Sequence, residues 1–296
     1  MSRHIVFDIG GTMIKYGVIR EGVVLSSEEM PTNAWEGGSR ILERVCRKIK
    51  ELQREGTADL AGIGISTAGM VDPKQGSILY ANENIPGYTG MEVQKIIEKS
   101  CKLPCRVEND VACAGLSEQR CGAAAGYEQV FCLTIGTGIG GCIIQNGRIF
   151  HGSSNSAGEI GYMRIEGEEF QQIASAGSLI RKVCRKKGLP QNELDGREVF
   201  RMAKAGDDIC VREIEAFCER LCIGIANVCY VLNPEIVVLG GGIMSQKEYL
   251  QDLICRKMQK HLLPSVMEKT VTAFAQNGNQ AGMLGAYYNF LEAIHE

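Results

Sequence analysis

A basic excess, long apolar runs and paired-cysteine motifs are all missing from this chain of 296 residues, and each absence closes off a class of function. Its 32 lysines and arginines stand against 35 aspartates and glutamates, a formal net charge of −3, so no surface for nucleic acid is expected. No apolar stretch approaches the ~18 residues that a membrane-spanning helix needs. The opening Met-Ser-Arg-His-Ile-Val-Phe-Asp lacks the apolar core and small-residue cleavage site of a signal peptide. A cytoplasmic protein is expected. His4, His151, His261 and His295 show no ligand spacing and mark no metal centre. Cysteine is plentiful at 13, but the number is odd and no Cys-x-x-Cys occurs. Cys46, Cys113, Cys132, Cys142, Cys218, Cys222 and Cys229 stand in apolar surroundings and read as small hydrophobes in a reducing compartment.

Glycine is abundant at 36, and two glycine-bearing segments look like copies of one device. Val6-Phe7-Asp8-Ile9-Gly10-Gly11-Thr12 and Cys132-Leu133-Thr134-Ile135-Gly136-Thr137-Gly138 each run from an apolar stretch into a tight turn of small residues. Each returns into a second apolar stretch, Met13 to Ile19 and Ile139 to Ile144. Successive backbone N–H groups in such a turn form a concave anion site. The pair suggests a clamp on a polyphosphate, with Asp8 placed to hold its magnesium.

Short β-rich runs at His4–Asp8, Met13–Arg20 and Val23–Met30 predict a three-strand meander. Ile41, Val45, Ile49 and Leu52 recur at helical spacing between Gly38 and Gly56. A buried strand at Leu60–Thr67, a turn at residues 71–76, a helix from Met91, a strand at Cys105–Glu108 and a helix from Val111 to Arg120 follow. The second half repeats the scheme: a hairpin at Gln129–Ile135 and Gly141–Ile144, a loop-rich stretch to about Gln172, then helices at Ser178–Lys187, Gly196–Ala205 and Asp208–Leu232. Strands at Glu235–Leu239 and Thr270–Ala275 flank a helix near Lys247–Lys260, and a helix from Ala281 closes the chain. Two α/β domains with mixed sheets are expected. The first covers residues 1–117, completed by a helix at about 280–296, and the second covers 118–279. Asp8, Gly69, Asp110, Thr134 and Gly240 all fall at the C-terminal ends of strands, where ligands of such sheets bind.

Several residues carry two readings. In Glu108-Asn109-Asp110, an aspartate at a strand end can accept the proton of a substrate hydroxyl, or Asn109 or Asp110 caps the next helix. Lys15 is either a phosphate contact or a solvated strand lysine. Gly240-Gly241-Gly242 follows an apolar strand and admits close approach of a nucleotide, or is a plain strand-to-helix connection. It lacks the full dinucleotide fingerprint. Glu159, in Gly158-Glu159-Ile160-Gly161-Tyr162, is either a ligand of sugar hydroxyls or a surface loop glutamate.

With these residues in hand, the chain resembles the ROK family of bacterial sugar kinases and repressors over nearly its whole length. The resemblance rests on Asp8-Ile9-Gly10-Gly11-Thr12, Glu108-Asn109-Asp110, Thr134–Gly141, Gly158-Glu159-Ile160-Gly161 and Leu239-Gly240-Gly241-Gly242, in that order. It implies the actin-like ATPase (ribonuclease H-like) fold, with two α/β domains around a central cleft. It implies transfer of the γ-phosphoryl group of ATP to a hexose 6-hydroxyl with Mg2+, in a homodimer. Asp110 would be the general base, and Asn109, Glu159, Gly69 and Asn84 sugar ligands. Asp8, Gly10, Gly11, Thr12, Lys15, Thr134, Gly136, Thr137 and Gly138 would hold the phosphates and Gly240, Gly241 and Gly242 the nucleoside end, with Asp8 on the magnesium. Many members carry a structural zinc held by a histidine where Tyr162 stands here and by cysteines soon after, and no cysteine occurs from Met163 to Leu179. No zinc is expected. Zinc-free members with this Gly-Glu-x-Gly-Tyr pattern resemble β-glucoside kinases, acting on substrates such as cellobiose. An N-acetylmannosamine or N-acetylglucosamine kinase is the enzymatic alternative and a sugar sensor without kinase activity the other. A ROK-type repressor would need a DNA-reading domain before His4, where only three residues stand.

Overall fold

A computed structural model describes residues 2–55, 59–191 and 193–294 of the chain. Gly56, the expected end of the first helix, His295, and the last two positions of the expected closing helix lie outside the described residues.

The chain divides into two compact units, one comprising residues 1–121, 151–156 and 279–296, the other 122–150 and 157–278. In the first unit, β1 (Arg3–Ile9), β2 (Met13–Arg20) and β3 (Val23–Pro31) form an antiparallel meander. β4 (Leu60–Thr67) and β7 (Cys105–Asn109) extend it in parallel, giving the order β3-β2-β1-β4-β7. Central β1 is buried along Ile5, Val6, Phe7 and Ile9, whereas β3 is an exposed edge strand carrying Glu28 and Glu29. A ribbon of β5 (Met70–Asp72) and β6 (Ser77–Tyr80) closes through the expected turn, in which Asp72 Oδ1 accepts the N–H groups of Lys74 and Gln75. On α1 (Gly38–Arg54), Ile41, Leu42, Val45, Cys46 and Ile49 face one core with α2 (Val93–Cys101). The opposite face of the sheet takes α3 (Asp110–Cys121) and the last helix of the chain.

The second unit repeats the plan. β8 (Gln129–Ile135), β9 (Ile139–Gln145) and β10 (Arg148–Ile149) form the meander. The stretch expected as loop to Gln172 also holds a ribbon of β11 (Arg164–Ile165) and β12 (Glu168–Glu169) and a short helix, α4 (Phe170–Ala174). Two-residue strands leave no periodic signal in a sequence. α5 (Ala176–Lys187), α6 (Gly196–Lys204) and α7 (Asp208–Leu232) are capped by Ser175, Asp195 and Asp207, whose side chains accept the N–H groups of Ser178, Glu198 and Cys210. α7 buries Ile214, Phe217, Leu221 and Ile225 in the core of this unit. β13 (Ile236–Gly240) and β14 (Val271–Phe274) run parallel beside β8, giving the order β10-β9-β8-β13-β14. α8 (Lys247–His261) and α9 (Pro264–Met267) connect them, and α10 (Ala281–Ile294) ends the described chain in the first unit. In both sheets the first strand is central, its hairpin partner follows, the third strand is at the edge, and the last two are parallel on the other side. Among the described residues no helix is long and apolar enough to cross a membrane.

Candidate active site

In the first unit, Asp8 lies opposite Lys15 across the β1–β2 hairpin and opposite Ser66 on β4. Ser66 Oγ donates to Asp8 Oδ1 at 2.7 Å. Burial pushes the Asp8 carboxyl above the usual range, against the pull of the Ser66 bond and the Lys15 charge. Gly282, in the first turn of α10, lies so near that a methyl group there would stand 2.4 Å from Asp8 Cγ. Lys15 Nζ reaches the carbonyl oxygen and Oδ1 of Asn279 at 3.3 and 3.5 Å. The hairpin turn is fastened by Gly10 N–H to the Met13 carbonyl at 3.1 Å and by Thr32, whose Oγ1 donates to the Gly10 carbonyl at 2.7 Å. Gly11 and Thr12, at its tip, are exposed.

β7 delivers Glu108-Asn109-Asp110 to the start of α3. Asn109 Oδ1 accepts the N–H groups of Val111 and Ala112 at 2.9 and 3.0 Å, so Asn109 caps the helix. Asp110, half-buried, is the first helical residue. Its Oδ1 accepts from Asn109 Nδ2 at 3.0 Å and from Val111 N–H at 2.9 Å. Asn109 Nδ2 also donates to the Gly69 carbonyl at 2.9 Å. Gly69 holds φ +100°, and a side chain there would meet the Tyr80 carbonyl at 2.9 Å, so the position excludes other residues. Tyr88, fully buried, shares a 2.7 Å hydrogen bond with Thr67, and burial, aided by the Asp110 charge, pushes its hydroxyl up to about 12. The Cys113 thiol is raised by burial first, and Glu108, Asp8 and Asp110 all add to it. By strand register Asp8 and Glu108 flank Ser66 across the sheet. Asn84 is exposed on the turn after β6, its N–H donated to Asn82 Oδ1 at 3.1 Å.

In the second unit, Gly136-Thr137-Gly138 turns between β8 and β9, with Gly136 N–H donated to the Gly138 carbonyl at 3.0 Å. It is one residue shorter than the first turn, since Ile135 pairs with Ile139 whereas Ile9 pairs with Ile14. The turn rests on the first residues of α5, where Gly177 N–H reaches the Gly136 carbonyl at 3.3 Å. Thr134 pairs with Gly240 across β8 and β13. Gly241, at φ +97°, lies against Ile135, where a methyl group would stand 2.3 Å from the carbonyl oxygen. The turn and the three glycines are thus neighbours. A five-residue 3-10 helix, Gly242–Gln246, follows in place of the direct entry into α8.

Gly158 and Gly161 press backbone to backbone on β9: methyl groups there would stand 2.4 Å from the Gly141 carbonyl oxygen and 2.3 Å from that of Ile139. The glycines that bracket Glu159 are packing devices that fix where it projects. Much of Glu159 faces solvent, and partial desolvation raises its carboxyl.

One pair escaped the sequence. His151, without ligand spacing, meets the buried Glu108 through Nε2–Oε2 at 2.7 Å. The partners are 43 positions apart, and no local pattern joins them. A carboxylate in an apolar strand flank, which needs a partner when buried, was the signal available.

Two α/β units built on one strand order, each with a glycine turn after its first strand, define the actin-like ATPase class of fold. The chain belongs to the ROK family, whose model matches residues 4–293. It is 32% identical over 295 residues to a β-glucoside kinase of Listeria innocua, covering 97% of this chain and 96% of that protein. The ROK hexokinase of Thermus thermophilus superposes with a TM-score of 0.86 at 30% identity, covering 99% of this chain and 100% of that one. A ROK glucokinase of Streptomyces griseus, solved with glucose and AMPPNP, gives a TM-score of 0.81 at 27% identity over 96% of this chain and 98% of that one.

Proposed function

We propose that this protein is a cytoplasmic, ATP-dependent sugar kinase that phosphorylates the 6-hydroxyl of a hexose or β-glucoside. The observation that carries the reading is the corner of β7 and α3, where Asn109 takes the capping duty and grips the Asp110 carboxylate beside Gly69. Asp110 accepts the proton of the hydroxyl as that oxygen takes the γ-phosphoryl group and ADP departs. Asn109, Gly69, Asn84 and Glu159 bind the sugar. The backbone N–H groups of the two turns, with Lys15, hold the phosphates, and Gly240, Gly241 and Gly242 admit the nucleoside. Asp8 fits a magnesium ion carried by ATP. Its carboxylate is half-buried and partly desolvated, and such an ion needs only one or two protein carboxylates beside the phosphates. Magnesium supplies the positive charge that neutralises those phosphates.

Support for the β-glucoside branch is the likeness to the Listeria enzyme and the Gly-Glu-Ile-Gly-Tyr run at Gly158–Tyr162. The test is ADP release against a panel of glucose, cellobiose, N-acetylmannosamine and N-acetylglucosamine, with 6-deoxyglucose as control. Turnover with glucose or cellobiose and none with 6-deoxyglucose is expected. Turnover confined to N-acetylated sugars overturns the β-glucoside assignment, and no sugar-dependent ADP release overturns the kinase.

A further inference from the structure

Glu108 has no place in the chemistry above, yet it is 1% exposed and both its oxygens are engaged. Oε1 accepts the N–H of Asn109 at 2.7 Å, and Oε2 meets His151 Nε2 at 2.7 Å. His151 opens the segment His151–Ser156, which belongs to the first unit although the chain before and after it belongs to the second. Glu159 follows that segment by three residues. Burial works to lower the pKa of the imidazole, but the Glu108 bond and charge, with the Asp72 charge, outweigh it and raise it.

We infer that His151 is a positioning residue: through Glu108 it holds the turn that presents Asn109 and Asp110, and it fastens the segment leading to Glu159 onto the unit that carries Asp110. The inference rests on the sugar-kinase reading. A buried carboxylate stripped of its partner is strongly unfavourable. Without the imidazole, Glu108 takes up a proton or turns toward water, and in either case its hold on the Asn109 N–H weakens. Asn109 caps α3 and grips Asp110, so the disturbance reaches the proton acceptor through two hydrogen bonds. A small displacement of a reacting group lowers turnover by as much as about 10²-fold.

The experiment compares the full-length protein with His151→Ala, His151→Gln, Glu108→Gln and the double variant Glu108→Gln/His151→Ala, using steady-state kinetics and hydrogen exchange of the peptide spanning residues 108–112. In His151→Ala, kcat is expected to fall about tenfold to 10²-fold while KM for ATP stays within about twofold. His151→Gln, which keeps an N–H donor, should recover most of that loss. In the Glu108→Gln background no buried charge needs a partner, so His151→Ala should cost less than about threefold there. Exchange of the 108–112 peptide should accelerate in His151→Ala and return toward the parent rate in His151→Gln. An unchanged kcat in His151→Ala, equal losses in the Ala and Gln variants, or independent effects in the double variant overturn the inference. If no sugar is phosphorylated, the kinase reading fails, and the exchange rates alone decide this one: unchanged exchange in His151→Ala overturns it.

Discussion

Asp110 and Asn109 compete in the sequence for two duties, helix cap and proton acceptor, and the structure gives the cap to Asn109, leaving Asp110 for the duty proposed above. Asn109 takes the N–H groups of Val111 and Ala112, and the Asp110 carboxylate is held where α3 begins. Asp110→Asn keeps size and hydrogen-bonding shape while removing the proposed base. Turnover should drop about 10²- to 10⁴-fold with little change in thermal stability, as read by ADP release beside a melting curve. Near-parental turnover would assign the proton to another acceptor. Asp8 sets a second expectation, because Gly282 leaves its carboxylate no slack. Gly282→Ala should raise KM for magnesium–ATP about tenfold by pushing the carboxylate aside, at a stability cost of about 1–3 kcal/mol. An unchanged magnesium titration would remove Asp8 from that role. Both aspartates stand in motifs that the sequence displays. The Glu108–His151 pair does not, since two ordinary residues 43 positions apart carry no shared signal until the chain folds.

Among the elements, long helices and central strands were legible, and α7 spans the expected residues, Asp208–Leu232. What the pattern cannot convey is which partner an element packs on. α10 lies on β4 because Gly62 and Gly64 make room: side chains there would stand 1.9 Å from the Phe290 ring and 2.4 Å from the Ala286 carbonyl. α7 and α8 are joined at Glu219, whose carboxylate meets Lys257, Lys260 and His261 at 2.7, 2.6 and 2.9 Å. Lys257 first, then Lys260, hold this carboxyl at about 2. That lies below the unfolded value of about 4.3, so the cluster stabilises fully above pH ~4.3 and loses its effect as pH falls toward the folded value. Glu219→Gln should therefore lower stability by about 1 kcal/mol at neutral pH, with the difference shrinking in acid. Urea denaturation of both proteins at neutral pH and at about pH 3 reads it, and a constant difference would contradict the assignment.

Over the whole molecule, one strand order occurs twice, and the chain returns at its end to complete the unit it began. Residues 279–296 belong with residues 1–121, where α10 covers β1, β4 and α3. A chain ending at Gly278 should thus lose the cooperative unfolding of the first unit, because Val6, Ile19 and their neighbours are left without Met283, Leu284 and Tyr287. Circular dichroism melts of the truncated chain would show it, and an intact two-unit transition would refute it. The sequence by itself determined the order of the long helices and main-sheet strands, the doubled glycine turn and the family, because backbone preference and apolar period are local properties written residue by residue. Only the tertiary structure decided that Asn109 rather than Asp110 caps α3, that Gly282 hems in Asp8, and that His151 meets Glu108. The cap depends on how the chain turns at the corner of β7 and α3, and the other two on distances between positions far apart in the chain, contacts that burial makes obligatory.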